Sequence, residues 1–443
     1  RICLQLPTAM SFAPTTSQTI AYLRTLPSIR ERCNRVFDLA KDDKLQYFTY
    51  HPEKESDVTA YCVDIIRRDF GTQYETIPPH GRWRHLDAGR SRINPLVLKW
   101  RAANDPPNDI EIAKRLIDLF LVAVLLDAGA GNVWTYTESE SGMKFSRSEG
   151  LAVAAYHMFE AGLFSGDASQ PYRVDAVGLA RLTPGDVARG MQVDDENTLA
   201  GLEGRTQLLI NLGTALRASP EFFGTDARPG NLVDFLEKES IPSSPSRKVP
   251  VAALWHALII GLQPIWPPAR TNLGGESLGD VWPCAALASD ADTNVSSTFV
   301  PFHKLTGWLT YSLMEPLTSF LGWQFEGVED MTGLPEYRNG GLLLDLGVLS
   351  LKSNPPIPLP RDEKSGRPKL DAGHPAIVEW RAMTVILLDR IHAALRLSLP
   401  APDLTLAQAL ESATWKGGRE IAKTLRGPEG GPPIDLISDG TVF

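Results

Sequence analysis

Apolar residues along this chain recur mostly three and four positions apart, the spacing that gathers them on one face of an α-helix. The pattern predicts helices over residues 17–40, 57–70, 109–127, 148–163, 199–217, 232–239, 249–262, 302–320, 375–399 and 406–425. Within 302–320, for example, Phe302, Leu305, Leu309, Leu313, Leu317 and Phe320 share a face. Few segments alternate as strands do. Pro and Gly gather at 264–279 and 354–375, and 240–249 reads as a polar, proline-containing connector. The expectation is a mainly α fold with long Pro/Gly-rich loops. It is either a single unit over 14–443 or two interleaved helical lobes, 14–240 and 249–443.

Composition adds limits. With 443 residues, 43% of them hydrophobic and 22% charged, the chain can bury an extended core. The apolar run 119–126 stops at Asp127 and 249–262 is interrupted by His256; both fall short of the roughly 20 residues a membrane span needs. A net charge of -9 argues against a general nucleic-acid binder but leaves room for a local basic pocket around a small anion. Cys3, Cys33, Cys62 and Cys284 lack CxxC spacing, so they read as buried thiols in a reducing compartment. No basic stretch followed by an apolar one opens the chain, and the expected location is cytoplasmic. Dinucleotide, P-loop, serine-hydrolase and zincin signatures are absent.

The most concentrated chemistry lies at 334–341, LPEYRNGG, where Glu336, Tyr337, Arg338 and Asn339 stand between a proline and two glycines. This reads either as a tight catalytic turn ahead of an apolar helix or as a helix start capped by its Glu. Asp127 follows eight apolar residues and precedes AGAG, at the negative end of a predicted helix. A carboxylate is disfavoured there unless a cation or several donors compensate, so it is either a loop carboxylate or a ligand for amide or hydroxyl donors. Trp134 and Tyr136 just beyond are core residues or a stacking wall. His303 and Lys304 begin the 302–320 helix, where an ammonium and free backbone amides together suit a phosphate. Glu379 and Arg381, in VEWRA, are two apart on a predicted central helix and cannot pair with each other. Glu379 is expected to meet Lys304, Arg338 or the ligand, and Arg381 a carboxylate or phosphate. His80 and His85, in HGRWRH, lack the spacing of a metal pair. Arg82, Arg84 and Arg90 suit phosphate or a structural arginine knot. The ending SDGTVF suggests a tail docked on the core.

Nine segments in order, HGRWRH, LLDAGAG, RSEGLA, GLEGR, GDVW, VPFHKL, LPEYRNGG, VEWRA and SDGTVF, give the chain a resemblance to the uracil-catabolism protein family along almost its whole length. A more remote, collinear resemblance is to the queuosine-salvage nucleotide glycosidases, helical enzymes similar to DNA glycosylases. They show FADYRVPQ followed by LGVL where this chain has LPEYRNGG followed by LGVL, and a Lys where this chain has Lys304.

Together these resemblances imply a DNA-glycosylase-like helical architecture and an N-glycosidase that hydrolyses ribosylurea 5-phosphate, or a similar ribonucleotide, to urea and ribose 5-phosphate. No metal or organic cofactor is required. The implied partner is a small phosphorylated ribosyl substrate, with neither nucleic acid nor membrane, and association with other uracil-catabolism enzymes is compatible with such a role. Glu336 is the expected catalytic carboxylate, with Asp127, Asp280 and Glu379 as alternatives, because the glycosidase relatives carry Asp where this chain has Glu336. Tyr337 and Arg338 would fix its geometry, Asn339 or Asp127 would bind sugar or urea, and Lys304 with an arginine would hold phosphate. Glu336→Gln is expected to fold with near-normal stability, whereas Glu379→Gln is expected to free a buried cation. The other readings are an amidohydrolase acting on the ureido group and a non-catalytic nucleotide-binding or regulatory protein.

Overall fold

The computed structural model describes residues 14–131, 133–288, 294–428 and 430–437. It is mainly α, and the strands among the described residues form only two- and three-stranded patches. The SDGTVF ending lies outside the described residues, as does Cys3.

The helix Asp109–Leu125 is the centre of the molecule. Asn108 caps it by accepting the N–H of Glu111 at 2.9 Å, and Asp109 and Glu111 favour the positive end of its dipole. From Leu116 to Leu125 every residue is buried, so this helix is surrounded rather than amphipathic. It packs along Lys304–Leu321 and Arg147–Glu160. A second buried helix, Pro375–Ser398, packs on Leu26–Lys41, Glu55–Phe70 and Tyr337–Asp345. One contiguous hydrophobic core runs from Leu26 to Ile434 and draws on both sides of 240–249. At about 1.5–3 kcal/mol per large apolar side chain, its burial dominates the favourable side of folding.

Three segments depart from the periodicity. The 17–40 pattern is broken into Thr16–Leu23 and Leu26–Lys41, with Pro27 in the first turn of the second helix, where its missing N–H costs nothing. The expected connector 240–249 is a small sheet: Ile241–Ser243 pairs antiparallel with Ser246–Pro250, which pairs parallel with Gln324–Glu326. The 406–425 helix contains a π-helical turn at Leu410–Thr414. That turn sets Glu411 against His80 at 2.5 Å and the Thr414 hydroxyl against Asn339 at 2.8 Å. Such widened turns often mark functional sites, and this one stands behind the 334–341 loop.

Candidate active site

Three helix ends converge on one buried lysine. Lys304 begins its helix, and its ammonium lies within electrostatic reach of Asp127, just past the end of Asp109–Leu125, and of Glu336, the cap of Tyr337–Asp345. Burial lowers the affinity of Lys304 for its proton, and the two carboxylates oppose that shift. Tyr337 is in reach of both carboxylates as well.

Glu336 is held by the backbone. Its Oε1 accepts the N–H of Asn339 at 2.6 Å and its Oε2 that of Arg338 at 2.8 Å, so the capping reading is correct. Burial pushes its carboxyl upward, although those amides and Lys304 pull it down. The loop is locked from several sides. Asn339 donates to the Leu334 carbonyl at 3.0 Å and accepts from Thr414, so its amide braces the loop. Arg338 donates to the Gly430 carbonyl at 2.5 Å and lies over the Tyr337 ring. It is the Arg338 amide, not its guanidinium, that fixes Glu336. Gly340 is required because a Cβ there would come within 2.8 Å of Trp380.

Asp127 receives what its place on the dipole demands. Arg82 Nη1 is 2.9 Å from its Oδ2, and the Ser148 hydroxyl donates to its Oδ1. The carbonyls at the helix end, which would repel the carboxylate, are themselves engaged: Arg82 Nε donates to Ala123, and Arg205 donates to Leu126, Ala128 and Gly129 at 2.6–2.8 Å. Arg205 is fully buried, and its carbonyl contacts stand where an ion pair would be expected. Ser148 and Arg205 are the residues sequence reasoning left unassigned. Their signal was present in RSEG and GLEGR, but only as charge and capping potential.

Other predicted site residues lie elsewhere or play structural parts. The Asp280 carboxylate binds Arg381 with both oxygens, at 2.7 and 2.8 Å, and accepts the Lys304 amide at 2.9 Å. Burial alone would raise its pKa, yet Arg381 and these donors hold it well below the usual carboxylate range. Asp280 thereby caps the helix that Lys304 begins, so the Lys304 amide expected for phosphate is already used. Arg381 meets a carboxylate, as expected, and also donates to the Pro335 carbonyl at 3.1 Å, steadying the loop before Glu336. His303 turns away from the site to the Leu23 carbonyl, 2.7 Å from its Nε2. Trp134 is core: it is 1% exposed and donates to the Met191 carbonyl.

Glu379 meets neither Lys304 nor Arg338. It accepts the backbone N–H groups of Gln46 and Tyr47 at 2.7 and 2.9 Å, so removing its charge frees no ion-paired cation. Burial raises its pKa from 4.5 to about 6. A carboxyl that binds its proton more tightly when folded stabilises the fold below its ordinary pKa, and that contribution is lost as pH rises through the folded value. Wild type is therefore expected to lose about 2 kcal/mol between pH 4 and 6.5 that Glu379→Gln does not lose. Urea denaturation of both proteins across this range checks it, and parallel profiles would refute it.

A cleft beside Glu336 is lined by Pro335, Tyr337, Ile377, Trp380, Arg381, Thr384 and Leu436. A larger hollow, lined by Tyr22, Arg32, Arg35 and Asn294 among others, contains no carboxylate and lies away from Lys304. Lys304 lies in the field of Asp127, Glu336 and Asp280 and of Arg381, and Asp127 lies in that of the buried Arg82 and Arg205, so cationic groups flank the carboxylates on more than one side. The arrangement offers a backbone-anchored carboxylate, a second carboxylate clamped by arginine, and a buried ammonium in the field of both. Those are the parts needed to orient water and stabilise a developing cation. Among the described residues no group of three or more His, Cys, Asp or Glu is placed to hold a metal ion, and no helix is long and apolar enough to cross a membrane.

The model of the family described as Protein of unknown function (DUF1688) matches residues 22–443. The chain is 43% identical to Uracil catabolism protein 4 of Lachancea kluyveri over 443 residues, 97% of this chain and 100% of that protein. It is 42% identical to Protein urg3 of Schizosaccharomyces pombe over 432 residues, 96% of this chain and 100% of that protein.

Proposed function

Because the chain belongs to the family described as Protein of unknown function (DUF1688), and because a relative that it matches end to end is named for uracil catabolism, we propose that it acts in uracil catabolism as an N-glycosidase. The substrate is ribosylurea 5-phosphate or a close ribonucleotide analogue, and the products are urea and ribose 5-phosphate. The observation that carries this reading is the placement of Glu336 and Asp127 in the field of one buried lysine.

In the reaction the C1′–N bond breaks with its electron pair on the urea nitrogen, and water forms the new C1′–O bond. Glu336, aimed by two amides, orients and deprotonates that water. The carboxylates offset positive charge on the sugar as it approaches an oxocarbenium ion. Preorganisation matters here, because dipoles and charges already in place cost no rearrangement as the barrier is crossed. An amidohydrolase attacking the ureido carbon draws less support. The described thiols are buried, and burial pushes those of Cys62 and Cys284 up to about 12, away from nucleophilic thiolate.

The test is product analysis with purified protein and ribosylurea 5-phosphate. Equal amounts of urea and ribose 5-phosphate are expected, whereas carbon dioxide and ammonia would replace this reading with the amidohydrolase. Unphosphorylated ribosylurea is expected to show a kcat/KM lower by about 10- to 100-fold, since a charge-assisted contact contributes about 1.5–3 kcal/mol. Equal kcat/KM values would remove the phosphate role from Lys304.

A further inference from the structure

Near Asp127, Nη2 of Arg82 and Nε2 of His85 are deeply buried with no hydrogen-bond partner among the described residues, as is Nε1 of Trp308, whose ring lies against His85. The parent side chains are 0%, 4% and 3% exposed. Leaving one such group unmet is costly, and three in contacting residues call for a cause. They share a chemical character. Arg82 Nη1 lies 2.9 Å from His85 Nδ1, and a guanidinium can only donate. His85 Nδ1 therefore accepts, and the neutral imidazole carries its proton on Nε2. Burial and the adjacent Arg82 keep the ring neutral, its pKa lowered to about 4. All three orphans are donors.

The fold holds them against the site. Lys304, Trp308 and Ser312 follow one another at four-residue intervals, so they share a face of their helix. Lys304 lies in the electrostatic field of the carboxylates, and Ser312 accepts the Arg82 amide at 3.0 Å. The same guanidinium that leaves Nη2 unmet has its other terminal nitrogen 2.9 Å from Asp127. Flat rings surround the donors: His85 is 5.8 Å from Trp308 and 5.3 Å from Trp415 between ring centroids, and His80 is 4.6 Å and 5.5 Å from the same two indoles.

We infer that Arg82, His85 and Trp308 form an acceptor subsite that takes the carbonyl oxygen of a planar ureido leaving group; this rests on the glycosidase reading above. As the C1′–N bond breaks, the electron pair left on nitrogen delocalises onto that oxygen. Donors aimed at it strengthen as its charge grows, until the proton released by the attacking water restores neutral urea. A phosphate oxygen is also a pure acceptor. The flat aromatic surround favours the planar group, and the experiment separates the two.

Trp308→Phe keeps the ring and removes its N–H. Affinities of wild type and variant are measured for ribosylurea, ribose 5-phosphate and ribosylurea 5-phosphate. The variant is expected to bind both ribosylureas about tenfold more weakly and ribose 5-phosphate as wild type does. Equal weakening of the two phosphorylated ligands with ribosylurea unaffected would place phosphate here and overturn the assignment. No change in any of them would mean that the donors meet only buried water, and overturns it too. Should Trp308→Phe fail to fold, wild type with the thiourea analogue serves, because sulfur is a poor acceptor. Affinity lower than that for ribosylurea supports the subsite, and equal affinity overturns it. Discrimination without turnover would remove the glycosidase reading and leave the subsite standing, whereas binding of none of these ligands to wild type would remove both.

Discussion

Glu336→Gln is expected to lower kcat by on the order of 10² to 10⁴ while substrate binding persists, because the lost charge matters most as the sugar becomes cationic. The variant is also expected to lose about 1–2 kcal/mol of stability, contrary to the near-normal stability predicted from sequence. The reason is the cap. Both carboxylate oxygens accept backbone N–H groups, from Asn339 and Arg338. A glutamine has one acceptor oxygen, so its NH2 would face one of those donors. Glu336→Asp separates charge from reach: it keeps the anion but withdraws it by about 1.5 Å. If Glu336 acts on water, Glu336→Asp should also be impaired, although less than the Gln variant. Single-turnover rates and urea denaturation on the same preparations distinguish these effects. A Gln variant retaining more than about a tenth of wild-type kcat would transfer the catalytic role to Asp127.

The helices were largely legible because burial imposes a period, and the long ones at Asp109–Leu125 and Pro375–Ser398 begin where caps and proline say they should. The π-turn at Leu410–Thr414 was not, since nothing in LESAT distinguishes a five-residue turn from a regular one. At the site, Glu336, Asp127 and Lys304 could be selected from local features: a turn between proline and glycines, an acid on the wrong end of a dipole, and a lysine in an apolar helix start. Their partners could not. Glu379 satisfies itself on the amides of Gln46 and Tyr47, and backbone donors are the same in every sequence. Asp280 and Arg381 find each other across 101 residues, which removes both from the list of free ligands. Local chemistry marks which residues are unusual, but only the tertiary fold determines whether a neighbour has already answered the need.

Asp127→Asn is expected to be the most damaging single change to the fold of the site. It leaves the Arg82 guanidinium, 0% exposed, without its carboxylate, and breaking a buried pair from one side costs about 3–5 kcal/mol. It should also lower kcat by on the order of 10² or more, because the second carboxylate facing Lys304 is gone. The two losses have different remedies. In the double variant Arg82→Met, Asp127→Asn the uncompensated cation is removed, so stability should recover most of what the single change lost, as it does when a buried ion pair is replaced by apolar side chains. Activity should not recover with it. Measuring melting and single-turnover rate for both singles and the double closes the cycle: a double variant that regains both would make Asp127 a structural counter-ion for Arg82. One that regains stability alone, with Arg82→Met by itself keeping more activity than Asp127→Asn, leaves Asp127 as the second carboxylate acting on the sugar, held at a disfavoured helix end because Arg82, Ser148 and Arg205 offset the repulsion there.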